Sequence, residues 1–217
     1  MAVKVMSLKC PSCTSPLCGF EKDEIFFCPN CKTGWEVASQ EKKAPIKVSY
    51  ARALKIPEKF ARSFYLPFYL YRIIVNGGAI DPASPRINEL LERMTKVYVP
   101  AYHMIRESYY GELGLIFTEV GVALEEDPDV GELDRKRIGS AIRGRQEAAP
   151  YLYYYPLLII DKRQDVTGSD YKIESIFQQI WAVPFFDLGD QIQEGILGKT
   201  FPAIILDTIS EFRAINY

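Results

Sequence analysis

The sequence is nearly without histidine, and this scarcity narrows the chemistry that it can perform. His103 is the only histidine among 217 residues. A Ser–His or Cys–His nucleophile would have to use this one ring, and we interpret His103 as a packed or surface residue. The sequence also lacks GxSxG and GxGxxG motifs, so nothing indicates a hydrolase nucleophile elbow or a dinucleotide-binding turn.

Neither a strong net charge nor a long apolar run is present. The formal net charge is −2 at pH 7, which provides no general attraction to nucleic acid or to an anionic membrane. The most apolar window, residues 151–160, is too short to cross a bilayer, which needs about 20 residues. The N-terminal segment has too short an apolar run for a signal peptide. We therefore expect a cytoplasmic protein without a transmembrane segment.

Two loop motifs are only superficially similar to known ligand-binding loops. The stretch GILGKT, residues 195–200, has Gln193 where a phosphate-binding loop needs glycine, and Pro202 follows where a helix should run. The acidic stretch 127–134 lacks the closing glutamate of a calcium loop. An enzyme with an acid–base pair assembled from distant carboxylates is therefore a weaker functional hypothesis, and we predict no catalytic residue.

All five cysteines lie within the first 31 residues, and none follows. Secreted scaffolds use cysteines as staples across the fold, whereas one local group indicates a reducing compartment and a metal. Two Cys-x-x-Cys pairs can direct four thiolates at one ion, so we predict one structural Zn²⁺ bound by Cys10, Cys13, Cys28 and Cys31. Cys18 is a spare small residue, a substitute for Cys13 or a redox group.

The residues around the second pair predict a β-hairpin over the metal. EIFFC, residues 24–28, and TGWEV, residues 33–37, are aromatic and β-branched runs. We expect Phe26, Phe27 and Trp35 to cover the sulfurs, with an exposed stacking platform as the alternative role of Trp35. A module this small depends on metal binding for its folding.

With two CPxC knuckles, a short insert and flanking strands, residues 8–38 resemble the zinc ribbon family. The resemblance implies a ribbon fold with a structural zinc ion. It implies little about function, because ribbons occur in transcription factors, in nucleic-acid enzymes and in proteins where they serve docking or folding. Iron-binding rubredoxin-like proteins share the knuckles but usually have glycine after each, where this chain has Thr14 and Lys32.

A polar, proline-containing stretch, residues 38–49, predicts a linker. We therefore divide the chain into a zinc ribbon at 1–43 and a body at 44–217. The body, which we expect to be α/β or α+β, contains two similar runs, YLPFYL at 65–70 and YYPLLI at 154–159. Each is apolar and aromatic with proline third, which suits a strand entry or edge.

Each of these runs is followed by apolar residues at helical spacing. The positions are Ile87, Leu90, Leu91 and Met94 in the first copy and Ile173, Ile176, Phe177 and Ile180 in the second. Each pattern then leads into another apolar segment with proline third, YVPAYH at 98–103 or AVPFFD at 182–187. We therefore predict two tandem strand–helix–strand units, at about 60–126 and 150–217.

A charged segment connects the two halves. Six acidic residues between 125 and 134 precede five basic ones, an order that suits a solvated helix over about 128–148 with its acids at the start. The alternative is a polyanion-binding patch formed by the five basic residues Arg135, Lys136, Arg137, Arg143 and Arg145.

Two further classes of function are open. In the first, the chain is a non-catalytic assembly, adaptor or structural subunit, whose ribbon and Tyr/Phe-rich body contact a protein partner or a second copy. In the second, the ribbon and the basic patch bind nucleic acid. Residues 1–43 contain six lysines and five acidic residues, and a Zn(Cys)₄ centre adds two negative charges, so the ribbon lacks the basic surface that nucleic acid requires. We therefore favour the first class.

Overall fold

The structure, a computed structural model, describes residues 8–37, 43–77, 89, 93–102, 112–131, 135, 137–162 and 171–203. The strands are β1 (Ile25–Cys28), β2 (Thr33–Val37), β3 (Lys43–Tyr50), β4 (Arg62–Gly77), β5 (Lys96–Pro100), β6 (Tyr171–Asp187), β7 (Gln191–Glu194) and β8 (Thr200–Pro202). The helices are α1 (Glu112–Val120), α2 (Arg145–Ala148) and α3 (Tyr151–Asp161).

The strands form one mixed sheet in the order β1-β2-β3-β6-β4-β5, with β7 pairing β6 and β8. Strand β3 runs parallel to β6, and the other pairs are antiparallel. The predicted body of two tandem strand–helix–strand units is wrong, because the strands belong to a single eight-stranded sheet. The division at residues 43 and 44 stays a prediction; β3 begins there and pairs with β2 on one side and β6 on the other.

Two long strands form the centre of this sheet. Strands β4 and β6 pair from Arg62 opposite Asp187 to Gly77 opposite Tyr171, with one irregularity after Arg72. Alternate β4 residues serve two hydrophobic layers: Phe64, Leu66, Phe68 and Leu70 lie in one, and Tyr69, Tyr71 and Ile73 in the other. Because both faces are buried over residues 64–71 of β4, apolar residues follow one another there with no polar alternation.

Each face of the sheet is covered by a helix. Helix α3 contributes Leu152, Tyr155 and Ile159 to the layer that contains Tyr69. Helix α1 contributes Leu113 and Phe117 to the layer that contains Phe68. Within the described residues, no helix combines the length and the apolar character that a bilayer crossing requires.

In the second predicted repeat, the segment predicted as a strand is a helix and the segment predicted as a helix is a strand. Residues 154–159, predicted as a strand, lie in α3, where the buried positions Leu152, Tyr155, Pro156, Ile159 and Ile160 follow helical spacing. The predicted helix over 173–180 lies in strand β6, where Ile173 and Ile180 are buried but Ile176 and Phe177 are exposed. A helix would have buried all four on one stripe. Of the first predicted helix, Ile87, Leu90 and Leu91 lie outside the described residues.

The charged connecting segment is mostly not helical. Among its described residues, a helix of more than one residue forms only over Arg145–Ala148, in place of the predicted helix from about 128 to 148. Residues 137–145, which we name the bridging segment, instead run between β4 and the cysteine module. The N–H of Tyr65 donates to Arg137 O over 2.9 Å, and the N–H of Glu24 donates to Ala141 O over 2.9 Å. The backbone of this segment therefore forms hydrogen bonds with β4 and with the residue that precedes β1.

Candidate metal centre

The four paired cysteines converge on one point. The sulfurs of Cys10, Cys13, Cys28 and Cys31 all lie within 4.8 Å of one another. The Sγ atoms of Cys10 and Cys31 are 3.5 Å apart, and those of Cys13 and Cys28 are 3.4 Å apart. A tetrahedral zinc with Zn–S bonds of about 2.3 Å places its sulfurs about 3.8 Å apart. The arrangement therefore fits a four-thiolate metal site.

The first knuckle is a tight turn closed by its own backbone. The N–H of Thr14 donates to Cys10 O over 2.9 Å, and the N–H of Cys10 donates to Ser15 O over 2.8 Å. Thr14 has φ of 61°, a left-handed conformation that is unusual for a β-branched residue. The turn brings Cys10 and Cys13 to the same side.

The second knuckle connects β1 to β2 and repeats this geometry. The N–H of Lys32 donates to Cys28 O over 3.1 Å, and Lys32 has φ of 53°. The N–H of Cys31 points at the Sγ of Cys28 over 3.5 Å. The two residues that replace the usual glycines, Thr14 and Lys32, thus both adopt the conformation that glycine adopts most readily.

When no ion is bound, hydrogen bonds and burial shift the pKa values of three of these thiols in different directions. Donors from the Ser15 hydroxyl and backbone N–H, with a further contact to Cys28, lower the pKa of Cys13 to about 6. Burial raises the pKa of Cys28 to about 12. Burial also opposes ionisation of Cys10, but the N–H groups of Cys13 and Ser12 outweigh it and lower that pKa. A bound divalent cation would deprotonate the coordinating thiols.

Hydrophobic residues cover one side of the sulfur group. Phe26 and Trp35, opposite each other on β1 and β2, are 8% exposed and pack with Leu17, Cys10 and Cys28. Trp35 is therefore not an exposed stacking platform. Phe27 does not join them, because successive residues of a strand point to opposite faces; it packs with Ile46 and Val48 in the main core.

Cys18 lies outside the four-cysteine group. Its backbone forms an antiparallel bridge to Phe27, with hydrogen bonds of 2.7 and 2.8 Å. The four thiols that converge are thus those of the two Cys-x-x-Cys pairs. Cys18 does not replace Cys13 in this group.

The described residues of the predicted polyanion patch contact protein groups. Arg135 donates to Pro29 O over 2.8 Å and to Val130 O. Arg143 is 7% exposed and donates to Pro100 O over 2.9 Å. A polyanion role for the segment stays a prediction.

Two further members of the predicted patch, Arg137 and Arg145, lie within the described residues. Arg145 forms an ion pair of 3.1 Å with Glu36 on β2. Arg137 is partly buried, and Lys136 lies outside the described residues. The side chains of three members of the predicted patch, Arg135, Arg143 and Arg145, therefore contact neighbouring parts of the chain.

The GILGKT stretch binds a carboxylate of the chain itself. Glu194 is fully buried, and its side chain accepts hydrogen bonds from the N–H groups of Ile196, Leu197 and Lys199 over 2.8 to 3.1 Å. A phosphate-binding loop uses such N–H groups for its ligand. Here the Glu194 carboxylate accepts from these N–H groups, which agrees with the incomplete phosphate-loop motif of the sequence.

Several residues that hold the cysteine module in place carry no sequence signal. Asp23 is 7% exposed and accepts hydrogen bonds from the N–H groups of Phe20 and Ala141 over 2.7 and 2.9 Å, and from the Ser140 hydroxyl. Glu36 accepts from the Arg145 N–H over 2.9 Å. Apart from Phe20, these partners lie more than a hundred residues away along the chain, beyond the reach of any spacing rule.

Comparison of the chain with protein-family models, with curated proteins and with solved structures gives no significant match. The likeness to zinc ribbons therefore rests on the knuckle residues and their geometry.

Proposed function

We propose that the four cysteines bind one structural Zn²⁺ and that the chain is a non-catalytic assembly or adaptor protein. The observation that carries the proposal is the convergence of four cysteine sulfurs within 4.8 Å. Four thiolates complete a tetrahedral zinc shell and leave no position for water or substrate. A metal held in this way stabilises structure and does not activate a ligand.

The position of the module in the sheet supports a structural role. Strand β2 follows the second knuckle directly and pairs with β3, which in turn pairs with β6. A metal that fixes the turn between Cys28 and Cys31 thereby fixes the start of one side of the sheet. Because the isolated module has a very small core, zinc binding would supply much of its folding free energy.

Exposed apolar residues on the two central strands support a protein-binding role. Ile176 and Phe177 on β6 are 61% and 42% exposed, and Ile74 on the paired strand β4 is 45% exposed. Exposed apolar side chains on neighbouring strands are typical of surfaces that bind proteins.

The metal assignment is tested with two cysteine variants of the full chain. Cys28→Ser removes a member of the sulfur group, so we expect loss of bound zinc and fast hydrogen exchange over residues 8–37, with β4 and β6 still protected. Cys18→Ser is the matched control and should retain the metal and the protection pattern. Equal zinc content in both variants would contradict the assignment.

The adaptor role is tested with the double substitution Ile176→Ser and Phe177→Ser. The wild-type chain should self-associate in light scattering or cross-link to a defined protein partner in cells, and the double variant should lose that association. Ile56→Ser is the control, because Ile56 is also exposed, at 64%, but lies before β4. A wild-type monomer with no cross-linked partner would exclude the role while leaving the zinc assignment intact.

A further inference from the structure

Arg135 contacts the second cysteine knuckle from outside it. The knuckle comprises Cys28, Pro29, Asn30 and Cys31, and the Arg135 Nη1 donates to Pro29 O over 2.8 Å. Pro29 is buried, which strengthens a charge-assisted hydrogen bond relative to one in water. The positively charged guanidinium group of Arg135 is thus hydrogen-bonded to the backbone between two predicted metal ligands, Cys28 and Cys31.

The guanidinium group is fixed in this place by further contacts. Its Nε and Nη2 both donate to Val130 O, over 3.0 and 2.8 Å. The backbone carbonyl of Arg135 accepts the hydroxyl of Tyr50 over 3.0 Å. With its position set from both ends, the side chain has little freedom left to lose when it contacts the knuckle.

The carbonyl that Arg135 binds lies inside the turn that positions two of the cysteine sulfurs, because Pro29 follows Cys28 directly. In the same turn the N–H of Cys31 points at the Cys28 sulfur over 3.5 Å. The hydrogen bond from Arg135 therefore holds the backbone of the turn that carries both cysteines.

We propose that Arg135 is a positioning residue for the metal centre, which holds the second knuckle in its ligating shape through its hydrogen bond to Pro29 O. The proposal rests on the proposed zinc binding. It also gives Arg135 a role other than the polyanion contact that the sequence offered as an alternative. Residues that orient metal ligands in this way typically contribute about 10- to 100-fold in metal affinity.

The test compares zinc affinities of full-length variants by competition with a chromophoric chelator. Arg135→Gln should weaken zinc binding by about 10- to 100-fold. Arg135→Lys keeps the charge and one donor, so it should recover part of the loss. Arg145→Gln is the matched control: it removes another arginine between the body and the module, but one that contacts Glu36 and not the knuckle, and it should change the affinity by less than about threefold.

A spectroscopic readout separates positioning from general stability. In the cobalt-substituted chain, Arg135→Gln should shift the sulfur-to-cobalt charge-transfer bands, whereas Arg145→Gln should leave them unchanged. If Arg135→Gln does not fold, Tyr50→Phe carries the test, because it releases the backbone of Arg135 and should lower zinc affinity in the same direction.

The outcomes distinguish this inference from the proposed function. A wild-type chain that binds no zinc overturns the proposed function itself. A wild-type chain that binds one zinc ion, with equal affinities and equal cobalt spectra in Arg135→Gln and Arg145→Gln, overturns the role of Arg135 alone.

Discussion

The carboxylate of Asp23 accepts a hydrogen bond from the backbone N–H of Ala141 over 2.9 Å. Asp23 lies just before β1 in the cysteine module, and Ala141 lies in the bridging segment. The same carboxylate accepts the N–H of Phe20 and the hydroxyl of Ser140. One buried side chain thus satisfies donors on both sides of the contact between module and body.

Replacement of Asp23 should therefore weaken this contact markedly. Asp23→Asn keeps the shape but places an N–H₂ group against backbone donors, and we expect a loss of about 2–3 kcal/mol in the free energy of unfolding. Urea denaturation followed by tryptophan fluorescence measures the change. Asp190→Asn, at an exposed aspartate, is the control, and an equal small effect in both variants would argue against the role of Asp23.

The left-handed conformation of Lys32 can be isolated by two substitutions that remove the same side chain. Alanine keeps a Cβ in a conformation with φ of 53°, whereas glycine has none. Lys32→Gly should therefore be more stable than Lys32→Ala by about 1–2 kcal/mol. Thermal unfolding of the zinc-loaded variants measures the difference. At Ser12, which is not in a left-handed conformation, the order should be reversed. There Ser12→Ala should be more stable than Ser12→Gly, because glycine raises the conformational entropy of the unfolded chain.

Glu194 organises the loop after β7. Glu194→Gln retains the size of the side chain but replaces one acceptor oxygen with a donor facing the loop N–H groups. We expect about 2–3 kcal/mol of destabilisation, since buried donors lose a charged acceptor. Chemical denaturation tests this value, and Gln191→Glu, at an exposed residue of the same strand, provides a charge change as a control. Unchanged stability of Glu194→Gln would show that the carboxylate does not hold this loop.

Glu24 should make stability depend on pH. It lines a cavity of about 410 Å³ with Glu36 and Glu147, and burial, followed by the charges of Glu147 and Glu36, raises its pKa. The folded chain therefore binds this proton more tightly than the unfolded chain, so the contribution of Glu24 to stability falls as pH rises through the folded pKa.

Glu24→Gln removes this titration and should gain stability relative to the wild type as pH rises. The measurement is the difference in melting temperature between the two zinc-loaded proteins from about pH 5 to about pH 8. Glu58→Gln, at an exposed carboxylate outside this group, is the control for the loss of a surface charge. A difference for Glu24→Gln that shrinks with rising pH would contradict the assigned direction.

The sequence predicts the local parts of this structure well. The hairpin of β1 and β2, the convergence of the two cysteine pairs, and strands at 65–70, 98–100 and 182–187 all follow from short-range spacing and composition. Residues 154–159 were wrongly predicted as a strand because their tyrosines favour strands, although the buried positions of this segment follow a helical stripe. Residues 173–180 were wrongly predicted as a helix, because pairing with β4 decides their conformation.

Contacts across long chain distances could not be predicted. Arg135 and Pro29 are 106 residues apart, and no local pattern relates them. The basic residues of the connecting segment suggested a solvated or ligand-binding surface, whereas the sheet edges and the knuckle provide acceptors for several of them. Only the tertiary arrangement shows which charges are already paired.

The central claim is that Cys10, Cys13, Cys28 and Cys31 form a closed zinc site. Elemental analysis of the full-length chain, purified under reducing conditions without added metal, tests it most directly, with free thiols counted before and after the metal is displaced. We predict one zinc ion per chain and the release of four additional reactive thiols, in keeping with the four converging sulfurs. Stoichiometric iron, or a folded chain that contains no metal and has all its thiols reactive, would contradict the account.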